Sequence, residues 1–279
     1  MQTHFPNRAQ RRGFTLIELI IVLVVLASLA ALVIPTLGFV NDQSDNALAA
    51  NGAQNVLNNL EQYKAATGSY PDRLDNLLNT NGDAYAALYS DGQFRYGSIG
   101  TGNFLWYSMT NGAGMSQVAV QDETRTNFSG DPVFEDDPNN ASIPQDIGPT
   151  TQFCIVDPAA AAGPWASKAR RMVLTAYPNQ ADPNDPGVPS GHTLIALGIG
   201  HINSAVGSTM TQAPLCPEKS GSDQDDYDRF IGLFDIGPGG SNGRGSMNLR
   251  AVVDSEFNTV AKNLEYYEES GPSDLGSTN

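Results

Sequence analysis

The chain has 279 residues, of which 40% are hydrophobic, so it has enough apolar material for a packed core, which argues against wholesale disorder. Its 15 Lys and Arg against 30 Asp and Glu give a formal net charge of −15 at pH 7. A chain this acidic is poorly suited to hold nucleic acid by releasing the counterions of phosphates, so no nucleic-acid partner is expected.

The N-terminal region combines a short basic leader with a long apolar run. Residues 1–13 carry arginines and no acidic residue, and residues 14–40 carry a single ionisable side chain, Glu18. As a helix, the apolar run is about 40 Å long, which exceeds the roughly 30 Å of a bilayer's hydrocarbon core. The sequence therefore predicts a transmembrane helix at about residues 14–40. The positive-inside rule places the leader in the cytoplasm and the chain after the helix on the other side.

The leader and the apolar run meet in the order that is typical of a prepilin signal. An ordinary secretory signal is cut after its apolar stretch, whereas the small residue here, Gly13, precedes that stretch. Residues 11–19, Arg-Arg-Gly-Phe-Thr-Leu-Ile-Glu-Leu, closely resemble the class III signal of type IV prepilins and type II secretion pseudopilins. The resemblance implies cleavage between Gly13 and Phe14, N-methylation of Phe14 and retention of the apolar helix. It also implies a helix kink at Pro35, where many pilins carry a proline.

Glu18 places a carboxylate inside the apolar run, where it is costly unless it is paired or neutralised. The nearest cation is the methylated amine of Phe14 that the resemblance implies, and a neighbouring, axially shifted subunit offers this amine more directly than the same chain does. Glu18 and Phe14 are thus predicted to set the register between subunits. The alternative is an ordinary signal anchor in which Glu18 snorkels to the membrane face.

After Pro35 the predicted helix becomes one-sided and continues to about residue 66. Its apolar positions follow a helical period and form one stripe: Leu48, Ala49, Ala53, Val56, Leu57, Leu60 and Tyr63. Gly68 and Pro71 stop the helix. The segment 60–71, with Tyr-Lys followed by Gly-Ser-Tyr-Pro, resembles the stem-to-loop junction of major pseudopilins, although any amphipathic helix that ends at Gly and Tyr-Pro has a similar pattern.

Beyond residue 90, short runs of β-branched and aromatic residues alternate with clusters of Gly, Pro, Asn and Asp, which is typical of strands joined by turns. Strands in mostly antiparallel order are predicted at Phe94–Tyr96, Phe104–Met109, Gln117–Val120, Phe153–Val156, Met172–Ala176, Thr193–Gly198, Phe230–Ile236 and Leu249–Val253. Residues 131–151 and 178–190 are predicted to be long surface loops. A closing helix is predicted over residues 257–267, where apolar residues have helical spacing.

The two cysteines, Cys154 and Cys216, allow one disulfide in an exported chain, and this bridge is the preferred interpretation. Two buried thiols are the alternative. Neither cysteine belongs to a Cys-x-x-Cys pair, so the sequence gives little support for a cysteine metal site.

The sequence contains no catalytic motif. His192 and His201 stand at opposite ends of a predicted strand, about 30 Å apart if the strand is extended, which is too far for a shared site. A nucleophile elbow, a Walker motif and a dinucleotide fingerprint are all missing. The chain is therefore not expected to be an enzyme.

One acidic cluster lies in a Gly- and Ser-rich loop and presents oxygens of the kind that calcium prefers: Asp223, Asp225, Asp226 and Asp228. Major pseudopilins that resemble the stem junction often hold calcium in a loop of the C-terminal half, so calcium is retained as a candidate cofactor. The spacing is not that of an EF-hand, and a solvated acidic loop is the favoured alternative.

Together these features predict an α+β, pilin-like protein whose long N-terminal helix, half transmembrane and half amphipathic, packs on a mostly antiparallel β head. The predicted domains are a leader peptide at residues 1–13, a stem helix at 14–66 and a globular periplasmic or extracellular head at 67–279.

The resemblance implies a structural subunit of a type II secretion pseudopilus or type IV pilus in the inner membrane. Prepilin peptidase would process the chain, which would then assemble with copies of itself and other pilins on an inner-membrane assembly platform. The junction at residues 60–71 favours the pseudopilus, whereas the large head suits a minor component or an unusual pilin. The alternative from a different class is a signal-anchored periplasmic binding protein, calcium-dependent or not, that never polymerises.

Overall fold

The computed structural model describes residues 16–79, 105–121, 142–157, 164–178, 187–217, 229–237 and 245–254. The chain divides into two compact units, residues 1–44 and 45–279. A single helix, α1 (Leu16–Thr67), begins in the first unit and ends in the second. The long N-terminal helix predicted from the sequence is thus confirmed.

The second half of α1 buries one stripe of apolar residues. Its members recur at helical spacing and are at most 2% exposed: Ala49, Ala53, Val56 and Leu60. Leu57 and Tyr63 pack at the margin of the same core. Leu48 was also expected in this stripe, but it is 52% exposed, because it lies about 100° around the helix from Ala49.

Helix α1 ends at the glycine and proline that the sequence indicates. Gly68 has a φ of 80°, in the left-handed region that favours glycine, and its N–H donates to the carbonyl of Lys64 at 2.8 Å. This geometry is an αL C-cap. Pro71 follows and lacks the amide N–H that another helical turn would need.

The second unit is built around a seven-stranded sheet. Its strands are β1 (Leu74–Asn79), β2 (Gln117–Gln121), β3 (Ser142–Asp146), β4 (Cys154–Ile155), β5 (Thr193–Gly198), β6 (Ile231–Ile236) and β7 (Met247–Val253). The hydrogen-bonded order is β3-β2-β1-β5-β6-β7, and β4 also pairs with β5. All of these pairs are antiparallel except β1 with β2, which is parallel. The expected mostly antiparallel order is therefore confirmed.

Two predictions between residues 104 and 151 are wrong. The segment predicted as a strand at residues 104–109 contains a short helix, α2 (Leu105–Tyr107), which continues as a π-helical turn over Ser108–Gly112. Residues 142–146 were expected in a surface loop but form β3, which pairs with β2 along its whole length. Three of the five residues of β3 are exposed, so this strand lacks the apolar pattern that marks a buried strand.

Helix α3 (Pro164–Ala176) replaces the strand predicted at Met172–Ala176. Its buried residues have the spacing i, i+3, i+4, i+7 of a helix packed on a core: Ala169, Met172, Val173 and Ala176. Pro164 occupies the first turn, where the missing N–H costs little. The helical period is visible only in a window wider than the five residues that suggested a strand.

Alternate residues of the central strands face two hydrophobic clusters. Ile195 and Leu197 lie in a cluster with the buried stripe of α1, whereas Leu194 and Ala196 lie in a cluster with α3. We call these two sides of the sheet the α1 face and the α3 face. Because both faces are covered, every residue of β6 is buried, and β5 and β6 form almost continuous apolar runs in the sequence.

The predicted strands that coincide with β2, β4, β5, β6 and β7 are confirmed. The strand predicted at residues 94–96 and the closing helix predicted at 257–267 lie outside the described residues, as do parts of the two predicted loops. The α+β class is confirmed, and the pilin-like arrangement stays a prediction.

Candidate functional site

The residues predicted to direct processing and assembly lie at the start of the chain. Gly13 and Phe14 fall outside the described residues, so the predicted leader cleavage and methylation stay predictions. Glu18 lies in the first turn of α1 and is exposed. A negative charge in the first turn interacts favourably with the helix dipole.

The side chains around Glu18 are apolar and exposed. Ten large apolar residues are between 48% and 76% exposed: Leu16, Ile17, Leu19, Ile20, Ile21, Val22, Leu23, Val24, Val25 and Leu26. They occupy almost every successive position, so they surround the helix instead of forming a stripe. A helix that is apolar all round is stable in lipid or among other helices. This part of α1 therefore has the surface of a helix that is stable in lipid or among other helices.

Among the described residues, no helix combines the length and apolarity that a membrane span requires. The transmembrane helix predicted at about residues 14–40 is therefore not confirmed and stays a prediction. Helix α1 continues through Pro35 without interruption. The kink predicted at this proline also stays a prediction.

Cys154 and Cys216, which are predicted to form a disulfide, are both buried. Cys154 lies in the cluster on the α3 face, whereas Cys216 lies in the cluster on the α1 face. The disulfide stays a prediction, as does the alternative of two buried thiols.

The predicted calcium ligands Asp223, Asp225, Asp226 and Asp228 lie outside the described residues. Within the described part of the chain, no group of three or more His, Cys, Asp and Glu side chains is placed to hold a metal ion. His192 and His201 flank β5, and the strand between them is extended as expected.

A buried carboxylate organises a polar cluster where β6 approaches its end. Asp235 is 0% exposed. Its Oδ1 accepts hydrogen bonds from Tyr177 Oη at 2.7 Å and from His192 Nδ1 at 2.8 Å. Its Oδ2 accepts from Arg250 Nε at 3.1 Å and from Arg250 Nη2 at 2.6 Å. We call these four residues the Asp235 cluster, and its donors compensate the cost of burying the charge.

The protonation states in the Asp235 cluster follow from its contacts. Burial alone raises the pKa of Asp235, but the hydrogen bonds from Arg250, His192 and Tyr177 outweigh burial, and the pKa lies below its ordinary value of 3.8. Asp235 is therefore ionised at neutral pH. Because an ionised carboxylate only accepts hydrogen bonds, Nδ1 of His192 must donate. Burial and the hydrogen bond to Asp235 raise the pKa of Tyr177, which keeps its phenol protonated.

A second polar cluster ties the end of α1 to β7. Tyr70 is 1% exposed, and its Oη accepts from Lys64 Nζ at 2.9 Å and from the backbone N–H of Leu249 at 2.7 Å. The same hydroxyl donates to Glu61 Oε1 at 3.0 Å. The Lys64 ammonium also lies 4.2 Å from the centroid of the Tyr70 ring. We call these four residues the Tyr70 junction.

An irregularity in β7 allows this strand to contribute a hydrogen-bond donor to each of the two clusters. Leu249 and Ala251 pair with adjacent residues of β6, so Arg250 between them is an extra residue, as in a β-bulge. Arg250 reaches Asp235 on the α3 face, while Leu249 gives its N–H to Tyr70 on the α1 face. The bulge therefore lets one strand satisfy a buried carboxylate on one side of the sheet and a buried phenol on the other.

The sequence indicates only fragments of these clusters. Lys64 and Tyr70 occur within the Tyr-Lys and Tyr-Pro pattern of the stem junction. Asp235 carries a signal of its own, because it is the single ionisable residue of the apolar run Phe230–Ile236, and a charge in a buried strand requires partners. Those partners come from three distant parts of the chain, which a local pattern cannot connect.

Comparison with known families identifies the N-terminal segment. Residues 8–34 match the family model of the prokaryotic N-terminal methylation motif. The chain therefore carries a prepilin-type N-terminus, which confirms the resemblance noted at residues 11–19.

The chain is also similar to proteins named type II secretion system core protein G. It is 37% identical to the protein of Pseudomonas aeruginosa over 71 residues, which are 25% of this chain and 50% of that protein. It is 35% identical to the protein of Aeromonas hydrophila over 76 residues, which are 26% of this chain and 53% of that protein. The chain thus spans about half the length of the curated relatives it matches. No solved structure matches the chain significantly.

Proposed function

We propose that this chain is a structural subunit of a type II secretion pseudopilus. The observation that carries the proposal is the arrangement at the N-terminus, where a prepilin methylation motif at residues 8–34 overlaps a helix whose apolar side chains are exposed all round. The similarity to two proteins named core protein G of type II secretion systems favours a pseudopilus over a type IV pilus. The proposed role is structural, and no catalytic activity is assigned.

In the proposed pathway, the chain is first an inner-membrane protein with its N-terminus in the cytoplasm and residues 67–279 in the periplasm. Prepilin peptidase removes residues 1–13 and methylates Phe14. On the assembly platform, the apolar part of α1 then exchanges lipid for the helices of other copies and other pilins. Because lipid is already apolar, close packing and polar contacts between helices drive this exchange.

Glu18 supplies the polar contact in this mechanism. Its carboxylate pairs with the Phe14 amine of a neighbouring copy, so that neither charge is left alone among apolar helices. The pair forms at one axial offset between subunits and therefore sets their register.

Calcium bound by the acidic loop at residues 223–228 is a subsidiary proposal, tested by the melting temperature of the full chain with calcium and with a chelator.

The first experiment determines the intact mass and N-terminal sequence of the chain recovered from membranes of cells that contain prepilin peptidase. A chain that begins at N-methylated Phe14 is the expected result. Gly13→Ser should keep the leader, and cells with an inactive peptidase provide the control. A wild-type chain that keeps Met1, or is cut after the apolar run, contradicts the proposal and favours a signal-anchored periplasmic binding protein that does not polymerise.

The second experiment separates the two kinds of filament. Filaments sheared from cells are quantified in strains that lack either the type II secretion platform or the type IV pilus platform. Filaments that require the secretion platform are expected. Filaments that require only the pilus platform would identify the chain as a type IV pilin instead.

A further inference from the structure

In the Asp235 cluster, two basic side chains contact a buried carboxylate and also reach the surface. The side chain of Asp235 is 1% exposed, whereas those of His192 and Arg250 are 28% and 40% exposed. Each basic group therefore contacts Asp235 and is also partly exposed to solvent.

Arg250 presents one edge of its guanidinium away from Asp235. Because Nε and Nη2 both donate to Asp235 Oδ2, the neighbouring edge of the planar group, formed by Nη1 and the second proton of Nη2, does not face this carboxylate. The ring of Tyr177 lies 5.6 Å from the guanidinium carbon and restrains the group further. Two parallel N–H donors in a restrained plane are the arrangement that recognises a carboxylate through two hydrogen bonds.

His192 lies on the other oxygen of Asp235. With Nδ1 donating to Asp235, Nε2 on the far side of the ring is an acceptor when the imidazole is neutral and a donor when it is protonated. The groups that face the ring are Asp235 of β6 and Tyr177 after α3, and Arg250 of β7 shares the same carboxylate. A ligand that only accepts hydrogen bonds therefore binds the protonated ring best.

We propose that Arg250 and His192 form a recognition site for a carboxylate of a second copy of this chain. With Asp235 ionised, the cluster is neutral when His192 is neutral and gains one positive charge when His192 is protonated. Without residues 1–13, which carry three arginines and no acid, each chain has a formal net charge of −18, so copies that lie side by side repel each other. A preorganised cationic site lowers that repulsion where an acidic side chain of the neighbour reaches it. This inference rests on the proposed function, which brings copies together.

The chemistry of the site is tested on the full chain in detergent by nuclear magnetic resonance, with sodium acetate as the probe. Acetate should shift the signals of the Arg250 Nε–H and the His192 ring in a saturable way. Sodium chloride controls for ionic strength. No saturable acetate shift, or saturable shifts with sodium phosphate only, overturns the proposal.

Substitutions separate recognition from folding. Arg250→Lys keeps a positive charge beside Asp235 but removes the guanidinium edge formed by Nη1 and Nη2. Acetate binding observed at His192 should therefore weaken about tenfold. Arg73→Lys is the matched control, because Arg73 is an exposed arginine outside the cluster, and it should leave the acetate shifts unchanged. Equal melting temperatures of the two variants establish that Arg250→Lys still folds, and equal acetate affinities overturn the proposal.

Filaments assembled from equal amounts of isotope-labelled and unlabelled Arg250→Lys chains test whether the bound carboxylate belongs to a second copy. A carbodiimide joins the new amine to carboxylates that touch it, and mass spectrometry counts cross-links between labelled and unlabelled peptides. More mixed cross-links at position 250 than at position 73 of Arg73→Lys filaments are expected. Normal filaments without this excess overturn the proposal. Wild-type chains that form no filaments contradict the proposed function instead, and the acetate titration still decides whether the site recognises carboxylates.

Discussion

The hydroxyl of Tyr70 accepts a hydrogen bond from the backbone N–H of Leu249, although the two residues are 179 positions apart in the sequence. Tyr70 follows the end of α1, and Leu249 stands next to the extra residue of β7. A bulge disturbs the regular ladder, and the tyrosine satisfies an N–H at this point. The end of the stem helix and an edge of the sheet are thereby joined by a single side chain.

Removing this hydroxyl should lower the free energy of unfolding. Tyr70→Phe keeps the ring but removes the hydroxyl. The Leu249 N–H, the Glu61 carboxylate and the Lys64 ammonium then each lose one hydrogen bond. A buried donor that loses its acceptor costs about 1–3 kcal/mol. Urea denaturation followed by circular dichroism measures the change. Tyr107→Phe is the matched control, because Tyr107 is 38% exposed, and equal losses in both variants would contradict a specific role for Tyr70.

Alkaline pH should also destabilise the second unit. Burial is the main cause that raises the pKa of both Tyr70 and Tyr177 above the ordinary 10.0. Unfolded tyrosines therefore release their protons at a lower pH than the folded ones, so this contribution to stability is complete below pH 10.0 and decreases as the pH rises above it. The free energy of unfolding, measured by urea denaturation across this range, should fall less steeply in Tyr70→Phe than in the wild type. Parallel slopes would rule out Tyr70 as a source of the alkaline loss.

Acid should remove the contribution of Asp235. Its pKa is lowered in the folded chain, so its contribution is present above the ordinary value of 3.8 and is lost as the pH falls through the lowered folded value. Asp235→Asn should therefore lower the free energy of unfolding by about 1–3 kcal/mol at neutral pH, because its three donors lose an ionised acceptor, and the difference from wild type should narrow in acid. Asp146→Asn changes an exposed aspartate of β3 and should stay within about 0.5 kcal/mol of wild type. A cost for Asp235→Asn that does not depend on pH would indicate a packing effect instead.

The elements that the sequence predicts correctly have an apolar pattern that extends over most of their length. Helix α1 repeats its apolar positions over many turns, and β5 and β6 are apolar because both of their faces are covered. By contrast, β1 mixes Leu74 with the polar Asp75 and Asn76, all of which the fold buries. Its burial depends on neighbouring strands that no local window contains.

The candidate site divides in the same way. The prepilin motif is contiguous, so residues 11–19 are sufficient to identify it, and the match at residues 8–34 confirms it. The Asp235 cluster depends on the register of β7, because only the bulge places Arg250 beside Asp235. The pairing register of two strands follows from the complete sheet, and a sequence window cannot provide it.

A close backbone contact should make Gly112 intolerant of a side chain. A Cβ added at Gly112 would overlap the carbonyl oxygen of Gly245, and a backbone atom cannot move aside as a flexible side chain can. Gly112→Ala should therefore lower the free energy of unfolding by about 1–3 kcal/mol in urea denaturation. Gly148→Ala is the control, because nothing lies within 4 Å of a Cβ at that position. If both variants unfold at the same urea concentration, Gly112 and Gly245 do not lie in this close contact.

Glu18 provides the most direct test of assembly. Glu18→Ala leaves Gly13 and Phe14 unchanged, so the leader should still be removed, and the intact mass should equal that of the processed chain with this substitution. Filament yield should fall strongly, since a neighbour's Phe14 amine would lose its counter-charge, and an unpaired charge among apolar helices costs about 3–5 kcal/mol. Leu19→Ala removes an apolar side chain of similar exposure beside it and should reduce the yield much less. Quantification of sheared filaments by immunoblotting checks both variants. A wild-type filament yield from Glu18→Ala would show that the carboxylate does not set the register, and the apolar surface of α1 alone would then have to account for assembly.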